Sequence, residues 1–392
     1  MHKERSFLKI LSLDMLMLCY SFNVSLIGQM FAPIKDAYFL TLSQASMLPA
    51  LQNMSGFIAV ILVILLMDFF NIHKIIAVAV SLYFCAFCII GFLPPLFALF
   101  IVFSIMGISG GTFDSLTNPV MLGIAGRKYE KHINLMQMFF AMGAVIGPII
   151  SQWIYTHLGI KGVFTITGAF ALIWAVSLNV TFREHFKHAL VKQRLSVLHC
   201  LSEVKRVYKK AGIVQTVIIT ILHACWQFSA MLYISTAISS VNNDYSQGAV
   251  ALSIFFLGMM LSRLLNVKLA SRYHQGIILI FGSAAGVVFW VLAMLLPGLT
   301  AKIIFIGLSS LFCGSNFPAV ITAAVKIAPN NAAAASGNII LSSFIGAFTF
   351  PPIVGYVGSL IDLNFALILA AIPLALIIVF AMQLYRKMGK VQ

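Results

Sequence analysis

The sequence predicts an all-α integral membrane protein: twelve transmembrane helices in two six-helix bundles related by a pseudo-two-fold axis. Three observations carry that reading. Apolar residues make up 61% of the 392 positions and charged residues only 9%, against roughly 25% charged in an ordinary globular domain. The mean hydropathy is +1.02. Apolar runs of about twenty residues, the length that crosses a ~30 Å hydrocarbon core, recur along the whole chain between short polar separators. So few charges cannot clothe a water-facing exterior, which excludes a cytosolic enzyme, a nucleic-acid binder and a secreted module.

The first run, 8–33, follows a charged start (Lys3, Glu4, Arg5, Lys9). It is too long for a signal-peptide core and lacks a small-residue cleavage site, so it reads as a retained span. Spans two to six occupy 43–67, 75–93, 96–125, 133–155 and 163–182, with breaks at Pro94-Pro95 and from Gly159 to Gly162. Spans seven to twelve occupy 212–238, 248–270, 276–295, 300–326, 333–357 and 363–385. Asn242-Asn243-Asp244, Pro297-Gly298 and Pro329-Asn330-Asn331 supply the turn chemistry between them. One separator is long. It divides the chain into an N-terminal bundle over 1–182, a basic cytoplasmic linker over 183–211 and a C-terminal bundle over 212–392. In the linker Phe186, Leu190, Val197, Leu201, Val204 and Tyr208 recur at helical spacing among basic residues. That pattern predicts an amphipathic helix on the anionic inner leaflet; a flexible linker is the plain alternative. Of six cysteines, Cys85 and Cys88 have redox-motif spacing but fall within a span, where apolar packing accounts for them.

The net charge of +15 is an orientation signal. With the N-terminus inside, fourteen basic residues of the loops and span ends and eight of the central segment are cytoplasmic. That is twenty-two of twenty-five, with only Lys35, Lys161 and Lys302 outside. The excess predicts a multi-pass protein of the cytoplasmic (inner) membrane with both termini cytoplasmic. Spread over loops in this way, the charge does not form a nucleic-acid patch.

The two halves repeat. Gly143-Ala144 with Gly147-Pro148 in span five matches Gly346-Ala347 with Phe350-Pro351 in span eleven, at an offset of 203. Gly107-Ile-Ser-Gly-Gly with Asn118-Pro119 in span four resembles Gly307-Leu-Ser-Ser with Asn316 and Pro318 in span ten. A duplicated six-helix unit places a substrate site where the halves face one another near the midplane. Glycine and proline there permit close packing and bends, although both are common in membrane helices generally.

An ionisable group in hydrocarbon costs at least a few kcal/mol and is a functional candidate by default. Asp114 in span four is the clearest, with Ser115, Thr117 and Asn118 beside it. Desolvation favours its neutral form, so it can exchange a proton when water reaches it; a structural hydrogen-bonded acid is the alternative. Asp14 lies about two turns into span one, where water or a basic neighbour would meet it. His223, with Trp226, Gln227 and Tyr233 nearby, either binds a hydroxylated ligand or is a packed, hydrogen-bonded histidine. Arg263 reads as an interfacial anchor. Asn23, Gln29, Asn53, Asn134, Gln137, Asn316 and Asn338 are the amides that need partners in lipid. No zinc-binding HExxH, nucleophile elbow or phosphate loop is present, so an enzyme is not expected. Neither a cofactor nor a metal is expected.

Twelve spans split by a basic loop resemble the major facilitator superfamily. Asp68-Phe-Phe-Asn-Ile-His-Lys74 resembles a degenerate form of its cytoplasmic signature. A narrower likeness covers about forty residues: Gly-Gly-Thr-Phe-Asp114-Ser-Leu-Thr-Asn118-Pro119, then Asn134-Leu-Met-Gln137-Met-Phe-Phe-Ala-Met-Gly143-Ala144. This resembles the fucose/galactose/glucose–proton symporter family, as do Leu40-Thr41 and Gln44-Ala45. The resemblance implies that Asp114 is the proton-coupling acid and that Asn134 and Gln137 lie near a sugar. Ungapped alignment puts Gly28 where fucose transporters carry a second acid.

The expected function is secondary active transport of a small hydrophilic solute, with a sugar as the leading class, by alternating access and proton symport. Asp114 is the expected coupling site. Asn23, Gln29, Asn118, Asn134, Gln137, His223, Trp226, Gln227, Asn316 and Asn338 are the expected substrate contacts. The partners are the solute, protons and the bilayer, and the chain is expected to be monomeric. A proton-driven exporter of drugs or metabolites is the alternative, supported by Gly143-Ala-Val-Ile-Gly147-Pro148, which resembles an antiporter signature. A transporter-like sensor is the third reading.

Overall fold

In a computed structural model the chain is described over residues 2–66, 71–125, 129–183, 197–242 and 244–388. Asp68, Arg127, Lys128, Phe186, Leu190 and Asn243 therefore lie outside the described residues. The helices are α1 (His2–Gln29), α2 (Phe31–Ala37), α3 (Leu42–Leu66), α4 (Ile72–Ile90), α5 (Leu96–Ala125), α6 (Tyr129–Phe182), α7 (Val197–Tyr208), α8 (Ile213–Asn242), α9 (Tyr245–Arg272) and α10 (Gln275–Leu295). After them come α11 (Leu299–Cys313), α12 (Asn316–Ile327), α13 (Ala332–Leu360), α14 (Leu363–Ile368) and α15 (Ala371–Met388). No strand occurs among the described residues. Helices dominate because hydrocarbon offers no partner to a peptide N–H or C=O, and an α-helix pairs these groups within the segment.

Eleven helical segments among the described residues are long and apolar enough to cross a membrane, and one of them, His132–Phe182, is 51 residues. Fifty-one residues extend about 77 Å as one helix, more than twice a ~30 Å core. Gly159 divides the segment with φ 64 and ψ −169, a backbone conformation that glycine adopts without a Cβ clash. Counted as two, it brings the crossings to twelve, as the hydropathy pattern predicts.

The chain divides into two compact units. Unit 1 comprises Met1–Phe39 and Leu51–Arg194; unit 2 comprises Leu40–Ala50 and Leu195–Gln392. In unit 1, α1 packs on α6 and α4 packs on α5 and α6; in unit 2, α8 packs on α13, α15 and α9, and α10 packs on α11 and α15. The closest approaches run over glycine. A Cβ on Gly143 would strike the Leu18 carbonyl and the Ser21 hydroxyl of α1, and one on Gly346 would strike the Ile221 carbonyl of α8. A Cβ on Gly111 would lie 2.7 Å from the Gly56 carbonyl oxygen and 3.0 Å from its Cα. In unit 2, a Cβ on Gly314 would lie 2.7 Å from the Met259 Cα. The repeat at offset 203 is thus a repeat of helix–helix contacts, where small residues let backbones meet in the absence of a hydrophobic drive.

The amphipathic helix in the linker is present as α7, with Lys205 and Arg206 exposed. Its buried apolar residue near the C-terminal end is Val207, while Tyr208 is exposed. Polar caps end several helices: Asn71 accepts from the His73 N–H of α4 at 3.0 Å and Asp244 from the Ser246 N–H of α9 at 2.8 Å. His274 caps α10, its Nδ1 accepting from the Gly276 N–H at 3.0 Å.

Two predictions follow from these contacts. Gly111→Val forces α3 and α5 apart, and overpacking of this kind costs about 1–3 kcal/mol; Gly123→Ala, with nothing within 4 Å of its Cβ, has no such effect. Thermal unfolding of the two variants in detergent compares them directly. His274 is held below its usual 6.5 by burial first and by the positive charge of Lys326 second. The neutral ring that accepts the Gly276 bond thus contributes stability above about pH 6.5. That contribution is lost as pH falls through the lower folded value. Unfolding midpoints measured from pH 7.5 down to pH 5 decline more steeply for wild type than for His274→Ser, whose hydroxyl keeps the cap at every pH.

Candidate functional site

Unit 1 carries the acid. Asp114 sits in the middle of α5 and is exposed. The exposed apolar stripe of this helix runs through Phe97, Ile101, Ile105 and Ile108. Asp114 follows Ile108 by six residues and so lies about 120° around the helix from that stripe. The carboxylate is therefore directed away from the lipid-facing line. It has no hydrogen-bond partner among the described residues, and its electrostatic neighbour is Tyr20 of α1. The Tyr20 ring packs on Tyr83 of α4 at 5.1 Å and on Phe113 at 5.5 Å. Gly110 makes room for this cluster: a Cβ there would sit 3.2 Å from both tyrosine rings. Asn118, one turn beyond Asp114 on the same face, is also exposed.

Two further candidates occupy the first half of α6. Asn134 and Gln137 are exposed. Gln137 lies about 100–160° around the helix from the exposed Met138, Met142, Ile149 and Trp153, whereas Asn134 lies about 40° from Met138. Asn23 and Gln29 are instead interior residues of α1, each 1% exposed. The Gln29 amide Nε2 donates to Gln152 Oε1 at 2.8 Å, which satisfies it within the protein, whereas Asn23 Nδ2 is buried without a partner. Asp14 is 2% exposed, and its Oδ1 meets neither a basic group nor a hydrogen-bond donor among the described residues.

In unit 2, His223 and Trp226 of α8 are buried, and neither ring nitrogen of His223 nor Trp226 Nε1 finds a partner at hydrogen-bonding geometry. Their rings lie 5.6 Å apart, and Trp226 also contacts Phe255 at 5.5 Å and Trp290 at 5.8 Å. Gln227 is half-buried, its amide near the Met231 sulfur at 3.7 Å. Asn316, at the α11–α12 break, is fully buried; its Nδ2 donates to Ser283 Oγ at 3.0 Å and its Oδ1 is left over. Asn338 of α13 is half-buried with a free Nδ2. Arg263, expected at the interface, faces His223.

Tyr20, Tyr83, Trp290 and Arg263 are the functional candidates the sequence reading passed over. Only Arg263 carried a signal, being a cation well inside a span. Among the described residues no group of three His, Cys, Asp or Glu is gathered to hold a metal. Every span serine or threonine near Asp114 donates to its own helix: Thr112 to the Ile108 carbonyl, Ser115 to Gly111 and Thr117 to Phe113. Asp114 is left without a hydroxyl donor from these residues.

Comparison with known proteins places this arrangement. Residues 13–240, more than half of the chain, match the model of the Major Facilitator Superfamily. The chain belongs to that superfamily of membrane transporters. No curated protein matches it in sequence. Its fold is similar to a bacterial homologue of the human lysosomal transporter Spinster, with TM-score 0.82 and 15% identity over 98% of each chain. It is also similar to the nucleoside transporter NupG, with TM-score 0.76 and 16% identity over 96% of this chain and 98% of that one. A third similar structure is the Escherichia coli fucose:proton symporter FucP, with TM-score 0.60 and 15% identity over 95% and 97%.

The face assignments are testable by labelling, because a thiol reacts as thiolate and needs water. In membranes carrying a variant stripped of the six native cysteines, Gln137→Cys reacts with a water-soluble maleimide several-fold faster than Met142→Cys. Equal rates mean that Gln137 faces lipid.

Proposed function

We propose that this protein carries a small hydrophilic solute, with a sugar as the leading class, across the cytoplasmic membrane by alternating access, in symport with protons. The termini are cytoplasmic, as the distribution of basic residues requires, and the working unit is the monomer. The observation that carries the reading is Asp114: a carboxyl in the middle of a crossing helix, about 120° around from the exposed Ile108 and 80° from Leu122, exposed at the protein surface and without a hydrogen-bond partner among the described residues. An acid so placed changes charge when water or solute reaches it, and its neighbour Tyr20 can follow that change.

Coupling requires the proton to alter the free-energy difference between two conformations; a group that binds protons equally in both does nothing. Asp114 meets the requirement if its hydration differs between states. Asn118, Asn134 and Gln137 are the exposed amides of unit 1 available to solute hydroxyls. His223, Gln227, Asn316 and Asn338 offer further donors and acceptors in unit 2. Asn23 and Gln29 contribute from the interior of α1. Similarity to a fucose:proton symporter over nearly the whole chain, together with the Asp114–Asn118 and Asn134–Gln137 sequence match, supports the sugar class.

The test uses purified protein in proteoliposomes with the solute that best stabilises it in a thermal screen. Under an imposed pH gradient the wild type accumulates solute. Asp114→Asn brings the accumulation ratio to about one while retaining part of solute exchange, since only the linkage to protons is removed. Undiminished accumulation by the variant rejects Asp114 as the coupling group, and efflux driven by inward proton flow converts the assignment to an exporter.

A further inference from the structure

Arg263 lies in α9, eighteen residues after Tyr245 and nine before the helix ends at Arg272. That is about 27 Å from one end and 14 Å from the other. Of the exposed apolar residues of the helix, Leu257 and Leu261 lie about 120–160° around from Arg263 and Val267 about 40° from it. The side chain is half-buried and its charge acts on His223 of α8. Its Nε is buried and unpartnered, and no carboxylate contacts it among the described residues.

The sequence of unit 2 explains why. Its acids are Glu203, Asp244 and Asp362. Asp244 and Asp362 cap the starts of α9 and α14, and Glu203 lies on α7, outside the spans. The crossing helices of this unit therefore contain no carboxylate to pair with Arg263. A guanidinium at such depth is costly, and buried charges are ordinarily paired. Its charge acts on His223, 1% exposed, whose ring nitrogens have the Gln227 side chain as a polar neighbour but no partner at full hydrogen-bonding geometry, and next to His223 lies the unpartnered Trp226 Nε1. Three donor-bearing side chains with no carboxylate among them describe the complement of an oxyanion.

We infer that Arg263 and His223 bind a carboxylate or phosphate group of the transported solute. The planar guanidinium fork grips two oxygens of such a group at once, and the neutral imidazole donates a third bond through whichever nitrogen carries its proton. The inference rests on the transport reading and narrows its substrate class from hydrophilic solutes to anionic ones. Phospholipid headgroups share this chemistry, so the test separates the two sources.

Full-length protein in detergent is unfolded thermally at matched ionic strength in glucuronate or glycerol 3-phosphate, with glucose and glycerol as neutral counterparts. At least one anionic probe raises the wild-type midpoint above its neutral counterpart. Arg263→Gln removes that difference, its apparent affinity falling about tenfold or more; Arg263→Lys, a point charge without the fork, retains part of it. The inference is overturned if neither anion protects more than its neutral counterpart, or if Arg263→Gln keeps the difference. It is equally overturned if phosphatidylglycerol micelles alone stabilise the wild type through Arg263 and the soluble anions do not. Should Arg263→Gln elute as an aggregate, Arg263→Lys decides: full protection overturns the inference, weakened protection upholds it. Counterflow in proteoliposomes tests the parent reading separately. Anion binding without counterflow sinks transport and spares the site, whereas counterflow of neutral solute by a wild type that no anion protects sinks the site and spares transport.

Discussion

A peptide N–H or C=O left unpaired in hydrocarbon costs several kcal/mol, and nothing in the bilayer relieves it. Most of the architecture follows from that penalty. The chain crosses as helices because they alone pair the backbone within one segment. The hydroxyls obey the same rule: span serines and threonines such as Ser81, Thr112, Thr117 and Thr220 donate to carbonyls of their own helix. Where the chain must change direction within the merged span pair of α6, it does so at Gly159, whose positive φ an L side chain would resist.

Once helices are obligatory, their association needs another source, because lipid tails are as apolar as leucine. Here it is close backbone approach. Gly111 against Gly56, Gly143 against Leu18 and Gly346 against Ile221 bring helix axes near enough for dispersion contacts along their lengths. The same geometry recurs in each unit at nearly the same sequence offset. A duplicated sequence conserves the positions where no side chain fits, even though most of the surrounding apolar residues differ.

Polar side chains then fall into two groups. Some are satisfied within their own unit, as the Gln29 amide with Gln152 and the Trp290 indole with the Leu367 carbonyl are. Others are left incomplete: Asp114 in unit 1, and His223, Arg263 and Trp226 in unit 2. That division separates the intramembrane polar groups bonded within the fold from those the fold leaves unpaired.

The sequence determined the number of crossings, the helical class, the glycine–proline repeat and the prominence of Asp114. Each rests on composition or periodicity, and lipid makes those quantities decisive: a carboxylate inside a twenty-residue apolar run is conspicuous however the run packs. It placed Arg263 near a span end without showing that its charge acts on His223, and it did not find Tyr20 or Tyr83, whose spacing resembles that of any aromatic in a core. Gln29 looked equal to Gln137, yet one is bonded to Gln152 and the other is exposed. These distinctions belong to the tertiary structure alone. Whether a polar atom is satisfied depends on which helix lies beside it and in what register, and pairings over a hundred residues apart leave no local trace in the chain.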